Sequence, residues 1–177
     1  VDTSLLGDYE VTIKYFDKQG VYVSSEKTVD LTIDKKPAII NVENIDDAVA
    51  KAINKASDTG KIAGMELLAV RMADSKINTV LEQTKSSSAE VKKTAYATLK
   101  SVVAAKDFTQ ICGMLESAGA DEKAALQDAV IACVHFMPEA EQVETVTRRM
   151  YQAGDAKKHL YYKVLASTGK PKALQII

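Results

Sequence analysis

The residues able to do chemistry in this chain are few: two histidines, two cysteines, a short run of acids, a triplet of serines and a basic stretch toward the end. His135 precedes Phe136 and Met137 in an apolar helical pattern, and His159 follows Lys157 and Lys158. Neither has a second His, Cys or carboxylate at metal-ligand spacing, so His135 is expected as a partly buried structural residue and His159 as a surface one. Glu139, Glu141 and Glu144 lie close together, but acids near a helix start are what the helix dipole favours by itself. Ser86, Ser87 and Ser88 read as a turn and a helix cap. Cys112 and Cys133 form no CxxC motif and fall on apolar helix faces, which predicts buried free thiols. With no glycine-rich nucleotide fingerprint, Walker-type loop or Gly-x-Ser-x-Gly elbow, the sequence predicts no catalytic residue, no cofactor and no metal, and no enzyme within the chain.

Charge is the remaining chemical signal. The net charge is −1 over 177 residues, yet Arg148 to Ile177 holds seven Lys or Arg and one acid, leaving +6 there and −7 in the remainder. Arg148, Arg149, Lys157, Lys158 and Lys163 are the candidate partner-binding residues. A solvated face explains such a stretch; an anionic partner is the alternative. With Lys170, Lys172 and the tyrosines 151, 161 and 162, the same end offers phosphate contacts and stacking surfaces to a nucleic acid. Nucleic acid is the less favoured partner, since the whole chain is not basic and no RNA-binding module is recognisable.

The elements that must carry these residues follow from the apolar pattern. Ile77 and Val80, Phe108 and Ile111, Val143 and Val146, and Leu174 and Ile177 share one spacing, and their first members are 31, 35 and 31 residues apart. A period of that size made of helices predicts a HEAT-, armadillo- or tetratricopeptide-type solenoid. The Trp-Leu-Gly-Tyr pattern of the last and the Thr-Pro-Leu-His of ankyrin are missing. Within the array, Ile45, Val49, Ala52 and Ile53 predict a first helix, and Ile62, Met65, Ala69 and Met72 one face of a second. Ser87 and Glu90 have capping-box spacing. Gly119, Pro138, Gly154 and Gly169-Lys-Pro171 punctuate the helices that follow. No apolar run is long enough to span a membrane.

The first forty residues follow another rule. Tyr9, Val11, Ile13 and Tyr15 alternate with polar residues, Asp17 to Gly20 supplies a turn, and Val29, Leu31 and Ile33 resume the alternation. This predicts a β-hairpin over residues 1–40. Leu6-Gly-Asp-Tyr9 with its flanking strands resembles the last two strands of an immunoglobulin-like or fibronectin-like sandwich, Tyr9 standing at the tyrosine corner. The resemblance implies a partial β-sandwich whose open edge invites self-association; a simple hairpin over the first helix is the competing reading.

Residues 41–177 are similar to HEAT repeats. The residues that carry the likeness are Met65 to Val70 leading to Ile77-Asn-Thr-Val80, Ala95 to Leu99 leading to Phe108 to Ile111, and Tyr161 to Ala166 leading to Gly169 to Leu174. The run Leu165-Ala166-x-x-Gly169-x-Pro171-x-Ala173-Leu174 resembles the HEAT regions of large secreted bacterial proteins, some with a 3-keto-disaccharide hydrolase or glycosidase-like domain. The Asp and Arg of eukaryotic inter-helix turns are not consistently placed. The resemblance implies a periplasmic or cell-surface location and a parent protein associated with glycan hydrolysis, and carries over no catalytic residue. The chain opens without a basic start or an apolar h-region and stops on Leu174-Gln-Ile-Ile177, so it is expected to be a piece of a larger multidomain protein.

The expected fold class is therefore mainly α, a HEAT-like α-α superhelix preceded by an N-terminal β-hairpin or partial Ig-like β-sandwich. The expected function is a non-catalytic protein-interaction scaffold binding a protein partner or a neighbouring domain. The alternative is an accessory segment of a glycoside hydrolase-like enzyme whose catalytic domain lies outside the chain.

Overall fold

The structure, a computed structural model, describes residues 45–177 throughout. Ahead of them it describes only the main-chain course of β1 (Gly7–Phe16) and β2 (Tyr22–Ile33), which run antiparallel. The chain divides into two compact units, Val1–Val42 and Glu43–Ile177. The first expectation to be corrected is the composite fold class: no strand occurs among residues 45–177, and the described fold is mainly helical. The turn at Asp17–Gly20 and the apolar side chains of the expected hairpin or sandwich lie outside the described residues, so no β layer enters the fold class.

Among the described residues of the second unit nine helices follow: α1 (Ile45–Ile53), α2 (Asp58–Val70), α3 (Ile77–Gln83), α4 (Ala89–Val102), α5 (Phe108–Ser117), α6 (Ala120–His135), α7 (Glu139–Gln152), α8 (His159–Ser167) and α9 (Pro171–Leu174). Their boundaries have local causes. Ser57 caps α2, its Oγ accepting from the Gly60 amide at 3.4 Å. The carboxylate of Asp107 accepts from the Ala104 amide at 2.8 Å and fixes the 3₁₀ turn that opens α5. Pro138 precedes α7 and Pro171 starts α9, positions that need no amide donor. Ser87 and Glu90 form no capping box: Ser88 is the residue before α4, and its amide bonds the Ser86 hydroxyl at 3.2 Å.

The apolar stripes then decide the packing. Met65 and Leu68 of α2, Val91, Ala95 and Leu99 of α4, Leu126, Ala129 and Val130 of α6, and Leu160, Tyr161 and Val164 of α8 are all buried in one core. Helices α2, α4, α6 and α8 pack each on the next, while α1, α3, α5 and α7 each pack against the member that follows them in sequence. This helical arrangement is compatible with an α-solenoid. Each fully buried Leu or Val in it contributes about 2 kcal/mol of hydrophobic stabilisation. The inward face of α2 is narrower than its sequence pattern predicts: Ile62 and Ala69 are half-buried and Met72 is exposed.

Candidate functional site

The basic end comes first, because sequence directs attention there. Arg148 donates to Glu144 at 3.0 Å. Arg149 makes a two-pronged contact with Glu116, Nε to Oε1 at 2.8 Å and Nη2 to Oε2 at 3.0 Å. Lys158 pairs with Asp155 at 2.6 Å and sits 4.6 Å from the centroid of the Tyr151 ring. Lys163 reaches Asp128 at 2.7 Å, and Lys170 pairs with Glu139. Lys157 is exposed on the 3₁₀ turn before α8. The structure thus does not bring the five candidates together as one free patch; four of them face partners in their own chain.

The charge asymmetry explains this. Residues 107–147 carry eight acids and one lysine, a balance of −7, next to the +6 of residues 148–177. Helices one layer apart in the stack meet with opposite charge: α5 with α7, α6 with α8, and the start of α7 with the approach to α9. Four of the seven cations, Arg148, Arg149, Lys163 and Lys170, are matched in this way by acids of residues 107–147.

The strongest of these contacts is a polar knot that the sequence does not announce. Glu116 on α5 receives both Arg149 of α7 and the hydroxyl of Tyr161 on α8, whose side chain is fully buried. Burial first, and the hydrogen bond to Glu116 second, push the Tyr161 phenol well above its ordinary range. Cys112 and Cys133 are free and buried, and burial pushes each thiol up to about 12. At neutral pH they are un-ionised, without the thiolate that nucleophilic chemistry needs.

The remaining candidates sit apart. His135 is exposed rather than partly buried, its Nε2 3.3 Å from the Ser167 carbonyl oxygen, and His159 is exposed. Glu139 and Glu144 each hold a different cation and do not face one another as an acid/base pair. Among the described residues no group of three His, Cys, Asp or Glu is placed to hold a metal, and no helix is long and apolar enough to cross a membrane.

A different surface sets exposed apolar side chains beside charges that make no ion pair among the described residues. A groove of about 590 Å³ runs between α2 and α4 over a floor of small residues, Ala69, Ala97 and Ser101. Ser101 also lines a second hollow of about 460 Å³, walled by Met72, Ala104, Ala105 and Phe136. Large apolar side chains stand open to solvent here: Val70 is 83% exposed, Met72 70% and Phe136 61%. Glu66, Glu90, Lys93 and Lys100 line the first hollow, Asp74 and Lys106 the second, and none of them is ion-paired among the described residues.

Met72 adds strain to exposure. The end of α2 is a Schellman turn, with the Ala73 amide bonded to the Leu68 carbonyl at 3.1 Å and the Met72 amide to that of Ala69 at 3.1 Å. The turn requires a left-handed residue, and Met72 occupies it at φ 51°. Glycine takes such positions elsewhere, at Gly154 (φ 82°) after α7 and Gly169 (φ 63°) after α8. A non-glycine residue held there costs about 1 kcal/mol. The signal in the sequence was Val70-Arg-Met72 at a helix end, an apolar pair where a glycine and a polar residue would suit solvent better.

No protein-family model, curated protein or solved structure matches the chain.

Proposed function

We propose that the helical unit is a non-catalytic protein-interaction scaffold, a HEAT-like α-solenoid segment, and that it engages its partner through the groove of α2 and α4 and the hollow reaching Phe136. The observation that carries this reading is the coincidence of solvent-exposed Val70, Met72 and Phe136 with charges that make no ion pair among the described residues, around two hollows that share Ser101. Exposed apolar residues clustered on a concave, polar-rimmed surface mark interaction sites. Two further features support it: α2, α4 and α6 begin at residues 58, 89 and 120, equal intervals of the kind that stacked helical units use, and these helices pack in that order.

A photo-crosslinking amino acid placed at position 72, with one at position 157 as control, tests the reading in an extract of the source cells. Discrete protein adducts from position 72 and none from 157, identified by mass spectrometry, are expected. Adducts from 157 alone would transfer the function to the basic end and contradict the proposal.

A further inference from the structure

Sulfur is divided unevenly between the interior and the surface. The five methionines and two cysteines of the chain all lie within residues 45–177. Cys112 and Cys133 are buried, Met65 and Met150 are 0% and 2% exposed, and Met114 and Met137 are partly buried against the same core. Met72 alone stands in solvent, 70% exposed, on the left-handed residue of the turn that ends α2. An oxidant must reach the sulfur it attacks, so exposure puts Met72 first. Burial keeps both thiols un-ionised at neutral pH, which removes the usual competitors for such a reagent.

The surroundings of Met72 suit the oxidised form as well. It lines its hollow together with Ser101 and Lys106, whose side chains donate hydrogen bonds. A thioether sulfur is a weak acceptor for such donors, whereas a sulfoxide presents a polar oxygen to them. Asp74, on the same rim, can only accept. Val103, Ala104, Ala105 and Phe136 make up the apolar part of the wall, so one oxygen atom at position 72 changes the balance of the whole hollow. Met72 belongs neither to the buried core nor to the partly buried residues packed on it. The added oxygen therefore meets water rather than packed side chains, and the fold accommodates it.

We propose that Met72 is a site of reversible oxidation, through which hydroperoxides set the polarity of the hollow. The sulfur lone pair attacks the terminal peroxide oxygen, so that an S–O bond forms as the O–O bond breaks. The hydroxyl proton passes to the departing oxygen, which leaves as water or an alcohol; sulfur gives up the electron pair and the peroxide is reduced. A dithiol reverses the step, the sulfoxide oxygen leaving as water while the thiols join as a disulfide. On the reading of the groove and hollow as a protein-binding surface, on which this regulation rests, the sulfoxide is the released state. A polar group at position 72 takes away apolar area that binding would remove from water.

Brief treatment of the native chain with dilute hydrogen peroxide, followed by peptide mass mapping, tests the site. One oxygen atom is expected on the peptide holding Met72, added about tenfold faster than on those holding Met114 or Met137. Met65 and Met150 should react only in urea. Methionine sulfoxide reductases with a dithiol should return the mass to its starting value, and circular dichroism should show the helices unchanged throughout. Oxidation of Met114 or Met137 as fast as Met72, or oxidation that unfolds the chain, overturns the site. A photo-crosslinking amino acid at position 70, which lines the groove, reads the consequence in a desalted extract of the source cells. Adduct yield is expected to fall about tenfold on oxidation and to recover on reduction. In Met72→Leu, which has no sulfur to oxidise, the yield should be the same before and after peroxide. Adducts that persist after selective oxidation overturn the regulation and leave the scaffold reading standing. An absence of adducts before oxidation removes the scaffold reading and the regulation together, while the mass map still decides the modification site.

Discussion

The groove of α2 and α4 and the later helices of the stack differ in how far their charges find partners within the fold. From α5 onward, cations and anions on neighbouring helices meet, buried Tyr161 is tied into the contact of Glu116 with Arg149, and the turns after α7 and α8 use glycine. Around α2 and α4 the rim charges make no ion pair among the described residues, large apolar side chains stand in solvent, and a helix-ending turn is held by methionine. A basic stretch is conspicuous in sequence because charge is counted along the chain, whereas pairing happens across it. The more informative surface is the one whose groups the fold leaves unused.

The largest expected effect that sharpens this contrast is at the polar knot. Glu116→Ala leaves the Arg149 guanidinium and the buried Tyr161 hydroxyl without their acceptor, and is expected to cost about 3 kcal/mol in urea unfolding. A change within experimental error would mean that the knot is a surface contact, and the distinction between the two ends would weaken.

Alkaline pH probes the same half. The thiols of Cys112 and Cys133 rise from 9.0 to about 12 on burial, so the unfolded chain releases these protons before the folded one. Stability is therefore unaffected by them below pH 9 and falls as pH climbs from 9 toward 12, by about 2 kcal/mol per thiol near pH 10.5. Tyr161, also raised by burial, adds to the fall above pH 10. Denaturant midpoints at pH 8 and pH 10.5 measure the drop, and Cys112→Ala should reduce it relative to wild type.

At the other end, Met72→Gly relieves the left-handed strain. It is expected to stabilise the fold by about 0.5–1 kcal/mol, net of the freedom glycine regains in the unfolded chain, while weakening association at the groove. A destabilised fold would show that the Met72 side chain packs within its own chain. The smallest effect belongs to the double variant Lys157→Ala with Lys172→Ala, exposed cations outside any ion pair among the described residues. Both stability, within about 0.5 kcal/mol, and adduct formation from position 72 should be unchanged.

How far the sequence reaches is clear from individual residues. The helical periodicity places Leu99, Ile111, Val130 and Val146 in the core, and they are fully buried, because a 3.6-residue period is a local property. Free buried thiols were legible for the same reason. The knot was not, because Glu116, Arg149 and Tyr161 come from three helices and no local pattern relates them. The exposure of Met72 was misjudged because it fits the apolar period of α2 but falls after the helix has ended. Five cations near the C-terminal end were visible as types and not as pairs; the acids that four of them meet lie as much as 35 residues away in sequence, as in Lys163 with Asp128.

The chain carries its own probes for deciding between the two ends. Of its methionines, Met72 is exposed on the hollow beside the groove and Met150 is buried beneath the basic end. Methyl-labelled methionine NMR during addition of a protein captured by crosslinking from position 72, with Met72 assigned by its Leu variant, reads both regions in one spectrum. A shift or broadening of the Met72 methyl with Met150 unmoved is the predicted result. Movement at Met150 with Met72 constant would place the interaction at the basic end and contradict the account.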